Sequence, residues 1–414
     1  MRMTTRSRWI GAAGLTVAGV LALTACGGSS SSSSSSAAAP ASAPASAPAP
    51  ASAPAPASAP ASAAPAASEC TTPAPVKLQL QWFAQAQFAG YYAAKDMGYY
   101  KDACLDVTIL EGGVDIVPQT QLAQGNADYA ISWVPKALAS REQGANITDV
   151  AQVFQRSGTL QVSWKDSNIT KGADFKGKKI GNWGFGNEFE IFADLSQNNL
   201  DPAKDVTLVQ QQFDMKGLLS KQIDAAEAMT YNEYAQLLEA KNAKTGKLNQ
   251  PSDFNVVSYE AEGVGMLQDA IWANSDKLSD AAYQAQTQAF VTASLKGWIY
   301  CRDNAQACAD IVTKNGSKLG ASHQLWMMNE VNKLIWPSPM GIGVADPAAI
   351  TRTVTIAQGT KNLDGATVIT KEPDPAWYTD TYAKAADAAL QAEGLNTTGD
   401  QFAPITVTLM EGGN

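Results

Sequence analysis

Histidine is almost missing from this 414-residue chain: it occurs once, as His323. A Ser-His-Asp triad therefore has a single candidate base. His323 stands in a helical stretch beside Trp326, where a surface or packing role is expected. The CxxC spacing of zinc sites is absent, and with one histidine that argues against a tetrahedral metal centre. No Walker phosphate loop occurs. Gly184-Phe185-Gly186 does not complete a dinucleotide fingerprint, because Phe189 stands where the last glycine belongs. Basic runs are lacking as well: Lys and Arg number 30 against 39 Asp and Glu, a net charge of −9. An acidic chain of that kind is poorly suited to nucleic acid or anionic lipid.

What is present begins at the N-terminus. Arg2, Arg6 and Arg8 precede an apolar run from Trp9 to Ala22, and small residues follow. That order is a secretory signal; the run is shorter than the ~20 residues a membrane-spanning helix needs. Leu23-Thr24-Ala25-Cys26 resembles a bacterial lipobox. The resemblance implies cleavage of residues 1–25, lipidation of Cys26 and a membrane-held protein on the extracytoplasmic face. Loss of three arginines and no acids takes the charge from −9 to −12. Residues 26–75 read as a tether: Ser29–Ser36 lead into an Ala/Ser/Pro repeat without charge before Glu69. Such a segment cannot bury a core. Its Ser part is expected as flexible coil and its Ala-Pro part as a stiffer spacer, roughly 3 Å per residue in polyproline geometry.

Four further cysteines remain: Cys70, Cys104, Cys301 and Cys308. An even count in an exported chain suggests two disulfides, although four cysteines allow three pairings. Cys70 and Cys104 each precede an expected strand, and neighbouring parallel strands would bring them together. In one straight helix Cys301 and Cys308 would stand about 10.5 Å apart, too far for a bridge. A helix break at Asp303-Asn304 would permit one.

From Val76 onward the pattern alternates between strands and helices. Strands are expected at Val76–Trp82, Asp106–Leu110, Ala127–Ser132, Val150–Phe154 and Leu160–Trp164. A second series has strands at Lys179–Trp183, Val206–Gln210, Ala225–Met229, Asn255–Ser258 and Gly265–Ala273. Helices intervene, and Asp280–Arg302, Ser322–Ile335, Pro347–Gln358 and Pro375–Gln391 read as a helical tail. Repeated βαβ units mean parallel sheets with helices on their faces, and about 340 residues exceed one comfortable core. The expectation is an α/β protein of two lobes: 76–165 in the first, 166–265 in the second, and 266–414 returning to complete the first. A ligand would lie between them at the carboxyl ends of the strands.

Several phrases carry a resemblance. Leu80-Gln81-Trp82-Phe83 with Phe88-Ala89-Gly90-Tyr91-Tyr92-Ala93-Ala94 resembles the opening of solute-binding proteins of the thiamine-pyrimidine/sulfonate superfamily. Gly98-Tyr99-Tyr100-Lys101, Leu105-Asp106-Val107, Gln121 through Tyr129 and Phe175 through Gly181 are similar to later phrases of it. The resemblance implies a type II periplasmic-binding-protein fold with two hinge strands, working as a monomer that serves an ABC permease with its cytoplasmic ATPase. Gln85 through Tyr92, Ala228 through Tyr234 and Asn329 through Pro339 are similar to proposed riboflavin-uptake binding proteins. The superfamily also contains enzymes that make the thiamine pyrimidine from a self-supplied histidine and a cysteine-rich motif. Neither feature occurs in the corresponding early segment here, so a binding protein without catalytic residues or cofactor is expected. An intracellular cofactor enzyme would also have no use for a signal and tether. A lipoprotein that binds ligand without a transporter is the third alternative.

The expected site collects loop residues at one end of both sheets. They are Trp82, Gln85, Gln87, Phe88 and Tyr91 after the first strand; Trp133; Trp183, Phe185, Asn187 and Glu188; Tyr231, Asn232 and Glu233; and Gln268 and Asp269. These offer flat aromatic faces, amides and carboxylates, and no arginine. A phosphate or sulfonate would require cationic donors. A flat neutral heterocycle fits better: a flavin ring stacks on Trp or Tyr and offers its imide edge to Gln or Asn. A thiamine pyrimidine precursor also fits, since its exocyclic amine donates to a carboxylate, and an aromatic sulfonate fits less well. Each aromatic has an alternative role in packing, and Glu188, Glu233 and Asp269 have alternatives as an N-cap, a solvated face and a structural hydrogen bond.

Overall fold

The computed structural model describes residues 70–184 and 186–414. The signal segment, Cys26 with its expected lipid, the tether up to Glu69, and Phe185 lie outside the described residues.

Two five-stranded sheets organise the chain. The first contains β1 (Ala74–Gln79), β2 (Leu105–Leu110), β3 (Tyr129–Trp133), β4 (Ile147–Gln152) and β10 (Asp269–Asn274), in the order β2-β1-β3-β10-β4. The second contains β5 (Thr159–Trp164), β6 (Lys179–Asn182), β7 (Thr207–Gln210), β8 (Ala225–Met229) and β9 (Phe254–Ser258), in the order β7-β6-β8-β5-β9. In each sheet four strands run in one direction, and the strand arriving from the other lobe, β10 or β5, is antiparallel to both its neighbours. The chain crosses between the sheets twice, from β4 to β5 and from β9 to β10. Central strands are buried throughout, as covered parallel sheets require: β3 reads Tyr-Ala-Ile-Ser-Trp and β8 reads Ala-Ala-Glu-Ala-Met, with every residue buried. This is the mixed α/β, two-lobed architecture expected from the sequence, with a helical C-terminal region.

Three boundaries differ from expectation. β5, expected to close the first lobe, belongs to the second sheet because its partners are β8 and β9. β1 starts at Ala74, inside the expected tether, where it pairs with β2 from its first residue. The last long helix begins at Thr381 rather than Pro375. Ahead of it Asp374 caps a single 3-10 turn, and Thr379 then donates its N–H to Asp149 O at 2.9 Å, so that stretch is drawn against β4 instead of coiling. A further helix, outside the expected set, spans Ala305–Lys314.

Both disulfides form, Cys70–Cys104 and Cys301–Cys308, each with Cα atoms 5.5 Å apart. The first joins the approaches to β1 and β2, which pair in parallel. The second becomes feasible because the helix Ala281–Asp303 breaks at Asn304 (φ −135°, ψ 53°) before the next helix starts. Among the described residues no helix is long and apolar enough to cross a membrane, and no group of three or more His, Cys, Asp or Glu is placed to hold a metal ion.

Candidate functional site

The carboxyl ends of β1, β3, β6 and β8 face one another across a cleft of about 360 Å3. β10 runs against β3, so its first residue, Asp269, reaches that same edge opposite Trp133. From the first lobe the cleft is lined by Gln81, Trp82, Gln85, Gln87, Gln119, Trp133 and Lys136; from the second by Trp183, Asn187, Phe213, Tyr231, Asn232 and Glu233.

Nine expected residues therefore converge: Trp82, Gln85, Gln87, Trp133, Trp183, Asn187, Tyr231, Asn232 and Glu233. Five do not. Phe88 and Tyr91 are fully buried in the first-lobe core, where Tyr91 meets Trp298 edge-on at 5.6 Å. They begin the helix Ala89–Asp96, which packs closely on Ala281–Asp303. Gly90 and Gly297 face each other there, and a Cβ on Gly297 would collide with the Gly90 carbonyl. Glu188 occupies an N-cap position, but its Oε2 accepts from Gly186 N at 3.0 Å and it stays outside the lining. Gln268 braces the two crossovers, accepting from Gly158 N at 2.9 Å and donating to Thr159 Oγ1 at 2.8 Å.

Asp269 lies beneath the cleft floor rather than in it. Its carboxylate accepts from Gln81 Nε2 (2.6 Å), Trp133 Nε1 (2.8 Å) and Gln87 Nε2 (3.0 Å). Protein donors take up its capacity, so it orients three lining side chains. Gln87 in turn accepts from Gln85 Nε2 at 2.6 Å. Burial pushes Asp269 up to about 7 against the pull of those donors. Burial likewise raises Glu233, lodged in the cleft wall with Met229 N and Asn232 Nδ2 as its donors, to about 7. The expected solvated face for Glu233 is thereby corrected: the residue is buried.

Sequence reasoning missed Lys136, Phe213, Gln81 and Gln119. Lys136 stands on the first turn of the helix Val134–Glu142, with Nζ 4.9 Å from the Trp133 ring centre. Burial lowers it to about 8, while Glu227, Glu188 and Asp269 pull it back up. Its position was the available signal. A cation in a first helical turn opposes the helix dipole, so it needs another reason to be there. The cleft thus holds an amine whose charged form burial disfavours, with Glu227, Glu188 and Asp269 close enough to favour it. Phe213 lies on the loop after β7, which periodicity does not mark. Its ring stands 4.7 Å from Trp82 and 5.9 Å from Trp183, nearly parallel to the latter at 19°. Three aromatic rings therefore bridge the lobes.

Among the described residues, two buried polar atoms on lining residues have no protein partner: Trp183 Nε1, a donor, and Gln119 Oε1, an acceptor. Leaving such groups unpaired costs about 1–3 kcal/mol each, so a ligand or water is needed to satisfy them. Under the second lobe, Glu227 Oε2 accepts from Trp183 N at 2.7 Å and holds that tryptophan's backbone in place.

The family described as NMT1/THI5 like matches residues 85–307. A Haemophilus influenzae protein named provisionally for thiamine biosynthesis is 26% identical over 220 residues, 53% of this chain and 66% of that one. A 4-amino-5-hydroxymethyl-2-methylpyrimidine phosphate synthase of Aspergillus parasiticus is 28% identical over 38% of this chain and 46% of its own. The chain thus spans less than two thirds of either relative. The formylaminopyrimidine-binding protein of Halalkalibacterium halodurans is 22% identical over 60% of this chain and 73% of its own. In fold, a Bordetella bronchiseptica structure is similar at a TM-score of 0.55 and 18% identity, over 77% of this chain and 98% of its own. The ligand-binding component of an ABC-type import system from Staphylococcus aureus is similar at 0.52 and 14%, over 76% and 99%.

Proposed function

The chain belongs to the NMT1/THI5-like family, and from that premise we propose that it is an extracytoplasmic solute-binding lipoprotein of an ABC importer. It captures a flat heterocyclic vitamin between its lobes, riboflavin or a related flavin first, and hands it to a permease. The observation that carries this reading is the bridge of Trp82, Phe213 and Trp183 inside a cleft of about 360 Å3. A cavity of about 150 Å3 already holds one benzene-sized ring, so this cleft suits a fused multi-ring system better than a lone pyrimidine. Amides from Gln81, Gln85 and Asn187 suit an imide edge, and Trp183 Nε1 with Gln119 Oε1 supplies an unmet donor and acceptor. Lys136 adds an amine donor whose charge burial disfavours.

A thiamine pyrimidine precursor is the second reading, favoured by the name of the Halalkalibacterium relative and by Glu233, which accepts from an exocyclic amine. The synthase-like relatives name the enzymatic alternative, for which the cleft offers no histidine.

Calorimetry and flavin quenching test the proposal. Riboflavin is expected to bind with quenched fluorescence. Trp82→Ala, Phe213→Ala and Trp183→Ala should each weaken it by about 1 kcal/mol or more beyond lost area. No heat and no quenching at tens of micromolar, with an aminopyrimidine binding instead, would hand the site to the second ligand.

A further inference from the structure

His323 is neither a surface residue nor a simple packing residue. It is buried on the helix Ala321–Ile335, against the second-lobe helix Glu233–Glu239. Its Nδ1 stands 2.8 Å from Glu239 Oε1 and its Nε2 3.0 Å from Asn232 Oδ1. Asn232 Nδ2 donates to Glu233 Oε1 at 2.9 Å, and Glu233 Oε2 accepts from Met229 N at 3.0 Å. Four side chains therefore run unbroken from the flank of the second lobe to the cleft, where Asn232 and Glu233 are lining residues.

The behaviour of Asn232 singles this line out. It occupies the N-cap of Glu233–Glu239, where an asparagine ordinarily accepts from a helix N–H. No such bond is made here; the amide meets His323 and Glu233 instead, and its Oδ1 also accepts from Gln236 Nε2 at 3.3 Å. Its orientation follows from its neighbours. Because Nδ2 faces a carboxylate oxygen, Oδ1 faces the imidazole, so Nε2 carries a hydrogen. Glu239 on Nδ1 and Asn232 on Nε2 therefore act on one ring, and the partner of one ring nitrogen sets the state of the other. A carboxylate has about four lone-pair positions; Met229 N and Asn232 Nδ2 donate to Glu233, which lines the cleft.

We propose that His323 is a positioning residue for the cleft: through Asn232 it fixes the Glu233 carboxylate that accepts hydrogen bonds from the ligand. This rests on the solute-binding reading and deepens it. The line selects ligands whose edge carries N–H or O–H donors and disfavours those presenting only acceptors or anions. It also makes the imidazole respond to events at Glu233. The other charged groups near this seam are already paired, Glu411 with Lys241 (2.6 Å) and Glu330 with Lys333.

A single histidine gives imidazole NMR signals that need no assignment. In the unliganded protein, Glu233→Gln should shift the Nε2 resonance, while Asp310→Asn, on an exposed helix face, should not. Unmoved imidazole signals in Glu233→Gln overturn the proposal, whatever the ligand is. With riboflavin as probe, saturation should shift Nε2 in the wild type. His323→Leu should weaken binding at least tenfold, and His323→Gln, whose amide can donate to Asn232, should recover most of that. Wild-type affinity in His323→Leu overturns the proposal; should that variant not fold, the wild-type and Glu233→Gln spectra decide. If neither riboflavin nor an aminopyrimidine binds the wild type, the ligand reading falls, and the unliganded comparison still judges the relay.

Discussion

Four carboxyl groups, Glu190, Asp194, Glu233 and Asp269, are pushed up to about 7, 6, 7 and 7, in each case chiefly by burial. Each holds its proton more tightly in the folded chain than in the unfolded one. Their contribution to stability is complete below about pH 4 and is lost as pH rises through about 6 to 7. Carboxylates held low by partners, such as Asp201 and Asp205, lie half-buried at the surface where solvent screens them, so they oppose this only weakly. The unliganded domain should therefore melt at a higher temperature at pH 5 than at pH 7.5; equal or reversed melting temperatures would contradict the burial of these groups. A ligand that donates to Glu233 prefers its ionised form, so affinity should rise as pH passes through about 7 and level off above it, measurable by calorimetry across that range. At this scale the residue types were legible: aromatics, amides and acids at strand ends. Which way each side chain points was not. Phe88 and Tyr91 turn into the core because two glycines draw their helix onto Ala281–Asp303, while Lys136, one turn past Trp133, turns into the cleft.

At the scale of elements, the strands were readable because covered parallel strands are short, apolar and punctuated. β8 was expected at Ala225–Met229 and occurs there. The strand β5 was recognised as a strand but given to the wrong lobe, because sheet membership depends on partners distant in the chain. Helix packing carries the clearest element-level prediction. Gly297 lies against the Gly90 backbone and Ala94, and backbone cannot rotate away as a side chain can. Gly297→Ala should cost about 1–3 kcal/mol through overpacking, seen as a lower urea midpoint with an unchanged slope. A neutral result would mean that the two helices slide apart at no cost. The Cys301–Cys308 bridge shows the opposite case: its feasibility hung on a helix break that Asp303-Asn304 suggested and Asn304 supplies.

For the whole molecule, the proposed anchor predicts that Cys26→Ala releases the domain from membranes or leaves it unprocessed. Fractionation with mass spectrometry of the N-terminus checks this, and an uncleaved 1–25 segment on wild-type protein would remove the anchor from the account. Thermal shift screens the ligand, since a compound at 100 times its Kd adds about 2.7 kcal/mol. The sequence by itself determined the alternation of strands and helices, the even set of cysteines and the strand-end loops that carry aromatic and polar residues. Those follow from local periodicity and composition, which act between near neighbours. Only the tertiary structure decided that β5 joins the second sheet, that Trp82, Phe213 and Trp183 meet, and that His323 reaches Asn232 from 91 positions away. Contacts of that kind depend on how two sheets are twisted and set against each other, and no local pattern in the chain encodes that distance.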